Sequence, residues 1–139
     1  MFYNVYKHLS DEDFKGLEAK LKEVEPTLIA ILEKEGFSET SKLDENDALI
    51  LDFGTEHENY YGSVGIKYND LPDSGKFSVY VLKCYDSAEE KRRYYKKEFI
   101  QTDLTIEDIL KDIDNIASRI IQTYQSWQQK DLSEYVNIS

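Results

Sequence analysis

The sequence predicts an α+β fold: a four-stranded antiparallel meander flanked by a long, Pro-kinked N-terminal helix and a long C-terminal helix in a two-layer sandwich. Three observations predict it. Apolar residues recur at helical spacing over 11–35 and again over 106–127. Between these stretches the period changes to alternation. The connections between the alternating segments are too short for parallel crossovers, so neighbouring strands must run antiparallel.

The first helix opens at Ser10, with Asp13 three residues later as an approximate capping box and Asp11 and Glu12 at the positive end of the dipole. Phe14, Leu17, Leu21, Val24, Leu28 and Leu32 form one stripe. Pro26 removes a backbone donor inside that stripe and predicts a kink rather than a break, because the stripe stays in phase across it. Gly36 supplies a left-handed stop, and Phe37 is placed to fold back on the last turn. Residues 38–46 are polar and predict a loop.

Ala48 to Phe53 is a short apolar run and reads as a buried strand. In the second strand Tyr60, Val64, Ile66 and Tyr68 share one face and Tyr61, Ser63 and Lys67 the other. Gly62 and Gly65 mark a bulge or a close backbone approach within it. Residues 69–75 are dense turn chemistry. A third strand follows over 76–85 and a fourth over 92–101. Thr105 with Asp108 then predicts a second capping box. Ile106, Ile109, Leu110, Ile113, Ile116, Ile120, Tyr124 and Trp127 predict a helix lying across one face of the sheet.

The 139 residues suit one domain, with 1–9 as an N-terminal segment and 131–139 as a C-terminal tail; 40% hydrophobic and 13% aromatic residues suffice for a core. No run approaches the roughly 18 apolar residues of a bilayer span. The N-terminal stretch lacks a basic region, an apolar run and a small-residue cleavage site, and Cys84 is the only cysteine. The expected address is therefore cytoplasmic, with no disulfide framework.

The net charge of −11 is unevenly spread. Residues 10–58 carry 15 acidic and 5 basic side chains, 59–102 carry 6 and 8, and 103–139 carry 7 and 3. Such a field keeps a protein soluble, repels nucleic-acid backbones and hastens encounter with a basic partner.

Chemical motifs are sparse. His57 lies between Glu56 and Glu58, but the residue four positions on is Tyr61, not the second histidine of a zinc helix. Asp52-Phe53-Gly54 spells the kinase magnesium tripeptide without any other part of a kinase. Asp44, Glu45 and Asp47 lack the calcium-loop pattern. Cys84 is expected to be a buried, inert thiol. No catalytic residue, metal site or cofactor is predicted.

Two features remain. Lys91-Arg92-Arg93-Tyr94-Tyr95-Lys96-Lys97 packs five basic residues and two aromatics into seven positions. That pattern suits an edge strand guarded against self-association, or intramolecular pairing with the acidic flanks, and less well in so acidic a chain the phosphates and bases of a nucleic acid. The sequence also holds eleven tyrosines, a residue enriched at protein interfaces. Tyr60-Tyr61 and Tyr94-Tyr95 each place rings on opposite faces of a strand.

The expected function is accordingly non-catalytic protein binding. Its most specific form is a stoichiometric inhibitor such as a bacterial toxin-immunity protein facing a basic toxin or nuclease. A chaperone or adaptor for a secreted protein, or a phage-type mimic of nucleic-acid charge, are the alternatives. The expected partner surface comprises Asp44, Glu45, Asp47, Asp52, Glu56, Glu58, Tyr60, Tyr61, Tyr94 and Tyr95.

Overall fold

The helix stop at Gly36 shows how closely local chemistry sets this fold. In the computed structural model, which describes residues 4–40, 43, 48–57, 59–69, 75–127 and 135–137, helix α1 spans Asp11–Glu33. Gly36 takes φ +90°, Phe37 N donates to Leu32 O at 3.1 Å and Gly36 N to Glu33 O at 3.1 Å. This is the six-to-one and five-to-two pairing of a Schellman stop, and it drops Phe37 into the core. At the other end Ser10 Oγ accepts from Asp13 N at 3.1 Å. The helix runs uninterrupted through Pro26, which is exposed, while Phe14, Leu21, Val24, Leu28 and Leu32 are buried on the inner side. The lost donor thus falls away from the packed face.

Among the described residues the sheet has six antiparallel strands in chain order: β1 (Ser38–Glu39), β2 (Ile50–His57), β3 (Tyr60–Tyr68), β4 (Phe77–Ser87), β5 (Arg92–Leu104) and β6 (Val136–Asn137). The four long strands are the expected meander. The two-residue strands add to its edges, β1 beside β2 and β6 beside Tyr94 and Tyr95 of β5. Strand β2 runs on to His57 and β5 to Leu104. Register shifts opposite Phe77, Val79 and Tyr80 place extra residues on β5, and Asp103 there takes φ +56°.

One face of the sheet carries Leu51, Phe53, Val64, Ile66, Phe77, Val79 and Val81, all fully buried under the helices. The C-terminal helical stretch is two helices, α2 (Ile106–Lys111) and α3 (Ile113–Ser126). Thr105 and Asp108 form the expected reciprocal capping box on α2. Asp112 at φ −125° is the joint, ending α2 and accepting from Ile116 N at 2.9 Å to start α3. The apolar spacing does not register a one-residue joint, because Ile106 and Ile109 before it and Ile116 and Ile120 after it all reach the core.

Both glycines of β3 mark close approaches. A Cβ on Gly62 would lie 2.5 Å from the Tyr124 ring of α3. A Cβ on Gly65 would lie 1.9 Å from the Leu51 carbonyl oxygen on β2. The first lets a helix aromatic rest on the sheet, and the second lets two strands close.

A candidate protein-docking face on the sheet

Among the described residues, the second face of the sheet carries no helix. The registers place its side chains in rows across β2, β3, β4 and β5. Glu56, Tyr61, Cys84 and Tyr95 form one row. Gly54, Ser63, Leu82 and Lys97 form the next, and Asp52, Gly65, Tyr80 and Phe99 a third. Beyond the first row Asp86 pairs with Arg93. Tyr61 and Phe99 are 41% and 45% exposed, and with Val5 they are the large hydrophobic side chains most open to solvent among the described residues. The two rings stand on the same face, on β3 and β5, with Leu82 of β4 between their rows.

Two carboxylates hold part of this face in place. Asp52 accepts hydrogen bonds from the Tyr80 hydroxyl, from Ser63 Oγ at 2.7 Å and from Thr40 Oγ1 at 3.1 Å. Burial, followed by the Asp52 bond, pushes the Tyr80 phenol far above its ordinary range. Arg93 Nε donates to Asp86 Oδ1 at 2.6 Å, and Asp86 also raises the exposed Tyr61 phenol. Tyr61, Cys84 and Arg93 line a notch of about 280 Å³. Lys67 and Lys97 both lie over the Phe99 ring, at 5.3 and 5.0 Å from its centre.

Of the residues expected at a partner surface, Asp52, Glu56, Tyr61 and Tyr95 come together here. Tyr60 and Tyr94 lie on the helix side instead: Tyr60 is buried beside Tyr85 with ring centres 4.6 Å apart, and Tyr94 stacks on Tyr85 at 6.5 Å. The Tyr94 hydroxyl donates to Glu90 at 2.6 Å. Asp44, Glu45, Asp47 and Glu58 lie outside the described residues. Cys84 is half-buried at the surface rather than enclosed, and burial is the main cause of its raised thiol pKa, which disfavours the reactive thiolate. Leu82, Cys84, Lys97 and Phe99 were not among the expected contact residues, though stepping two residues along each strand from Tyr61 or Tyr95 and across the register reaches them.

Little on this face resembles a reaction centre. Asp52 of the kinase-like tripeptide is engaged by three hydroxyls and Phe53 is in the core. His57 is exposed at the end of β2, and no group of three or more potential metal ligands forms among the described residues.

An unusual lysine lies on the opposite face. Lys83 is 3% exposed, and its Nζ donates to the Trp127 carbonyl at 3.2 Å, 4.6 Å from the Tyr124 ring centre and 5.5 Å from that of Tyr60. It thereby caps the end of α3, while Lys96 lies 4.9 Å from the Trp127 ring centre. Burial lowers the Lys83 pKa. Between that lowered value and the ordinary value near 10.5 the unfolded chain holds more protons than the folded one, so stability rises with pH in this window. Lys83→Met is expected to flatten that rise in a denaturation series taken as pH climbs towards the ordinary lysine value. An unchanged rise would remove Lys83 as its source.

No helix among the described residues is long and apolar enough to cross a membrane. Comparison with protein-family models, with curated proteins and with solved structures finds no match to this chain.

Proposed function

We propose that this chain is a non-catalytic, stoichiometric protein-binding domain whose docking surface is the helix-free face of the sheet. The observation that carries the reading is the exposure of Tyr61 and Phe99 on one strand surface where Asp52 and Asp86 fix Tyr80, Ser63 and Arg93. Rigid aromatic anchors lose little conformational freedom on docking, and pre-paired polar groups need no reordering. The net charge of −11 favours a basic partner by hastening encounter. An inhibitor of the toxin-immunity type, occluding a basic toxin or nuclease, is the most specific form of this proposal.

The test compares the wild-type chain with Tyr61→Ala/Phe99→Ala as bait against native lysate at low and moderate salt. A protein retained in one-to-one ratio by the wild type and lost from the variant, at least tenfold weaker, is the expected result. Equal retention by both baits would move the docking surface elsewhere.

A further inference from the structure

The charges on the helix-free face are sorted. Asp52 and Glu56 lie on β2 at one side, Lys97 lies on β5 at the other, and Lys67 lies on β3 beside Phe99. Asp86 and Arg93 neutralise each other. Among the described residues Lys67, Lys97 and Glu56 form no ion pair. The two lysines flank one ring, and Lys67 helps to lower the Lys97 pKa after burial does so. A positive spot and a negative spot therefore sit on one surface without a counter-charge for either within hydrogen-bonding reach.

From this charge pattern we propose that the helix-free face also pairs with a second copy of the same face, through a two-fold axis running along the strands between β3 and β4. The proposal rests on the reading of this face as a docking surface and names one of its occupants. The pattern selects the axis. A two-fold across the strands would lay β2 on β2 and carboxylate on carboxylate. A two-fold along them lays β5 of one copy over β2 of the other and keeps each row in place. Lys97 then lies over Gly54 of the second copy, between Asp52 and Glu56 two residues to either side. Tyr61 of β3 meets the row position of Cys84 on β4. Sheets packed this way run nearly aligned, about 10 Å apart.

The area sets the strength. Four strands at about 4.8 Å spacing and eight residues at about 3.3 Å each give a footprint of roughly 500 Å² per copy. Twice that is the low end of specific interfaces, so the dimer is weak and reversible. A pair of that strength shields Tyr61 and Phe99 in the free protein and yields to a tighter partner.

Because Cys84 is the only cysteine and lies on this face, it reports the arrangement directly. Sedimentation of the full chain from micromolar to several hundred micromolar is expected to show a monomer–dimer equilibrium ending at twice 16.3 kDa. A short bis-maleimide is expected to join Cys84 to Cys84 in the dimer. Lys97→Glu should weaken the dimer at least tenfold, and Lys97→Glu/Glu56→Lys should restore it, both with wild-type circular dichroism. A monomer at every concentration overturns the proposal. So does a dimer that ignores Lys97→Glu, is not restored by the double exchange, or fails to link through Cys84. If the wild type is monomeric while capture of a partner still depends on Tyr61 and Phe99, the docking face stands and self-pairing alone falls.

Discussion

Gly65→Ala is expected to destabilise the protein by more than about 3 kcal/mol, a large share of the 5–15 kcal/mol typical of a domain. The added Cβ would lie 1.9 Å from the Leu51 carbonyl oxygen, 3.0 Å from its carbonyl carbon and 3.2 Å from the Asp52 Cα. All three are backbone atoms of the neighbouring strand, so no side chain can swing aside. Relief requires β2 and β3 to part where Asp52 faces Gly65, between Leu51 opposite Ile66 and Phe53 opposite Val64. Those four side chains are fully buried, so parting the strands also opens the core. Gly16 is the internal control, because a Cβ there meets nothing within 4 Å on an exposed turn of α1. Gly16→Ala should stabilise by about 0.5–1 kcal/mol through helix propensity. Denaturant midpoints followed by circular dichroism measure both, and a Gly65→Ala chain within about 1 kcal/mol of wild type would sink the steric argument.

The same glycine shows what a sequence can and cannot display. Its place inside an alternating strand marks a close approach, but not which backbone approaches, since Leu51 is fourteen residues away and meets it only through the register. Alternation likewise separates Tyr61 from Tyr60 and Tyr95 from Tyr94 without saying which side the helices cover. That choice belongs to the helices, whose buried residues share one core with Val64 and Val81 on the face where Tyr60 is buried, while Tyr61 stays open. The helices, caps and four long strands are legible because each repeats its signal over many residues. Strands β1 and β6 have two residues apiece and no period to detect. The joint at Asp112 leaves the stripe in phase. Lys83 alternates correctly with Val81 and Tyr85 onto the covered face, yet its aromatic surroundings come from Tyr60 and Tyr124 on two other elements.

Asp52 was legible as an acidic residue and illegible as the centre of a hydrogen-bond cluster, and removing it carries the second large effect. Asp52→Ala is expected to cost about 2–4 kcal/mol, because bonds to a charged acceptor contribute about 1.5–3 kcal/mol and a buried donor left alone costs about 1–3 kcal/mol. The donor at risk is the hydroxyl of Tyr80, a residue only 7% exposed; Ser63 and Thr40 can turn towards water. Tyr80→Phe should cost less, since Asp52 keeps Ser63 and Thr40. The double variant should cost less than the sum of the two, which isolates the shared bond.

The pH dependence gives an independent measure of the same bond. Tyr80 keeps its proton in the folded state well above pH 10, where the unfolded chain has begun to lose it. The folded state then binds more protons, so this contribution is complete below about pH 10 and falls as pH rises beyond it. Tyr80→Phe should therefore lose stability more slowly than wild type above pH 10, and superimposable alkaline limbs would dismiss the assignment. The cluster also bears on docking, because a carboxylate held by three hydroxyls meets an incoming cation without first being ordered. Asp52→Asn preserves the shape while removing the charge, so it should weaken the association that depends on Lys97 more than it weakens the fold.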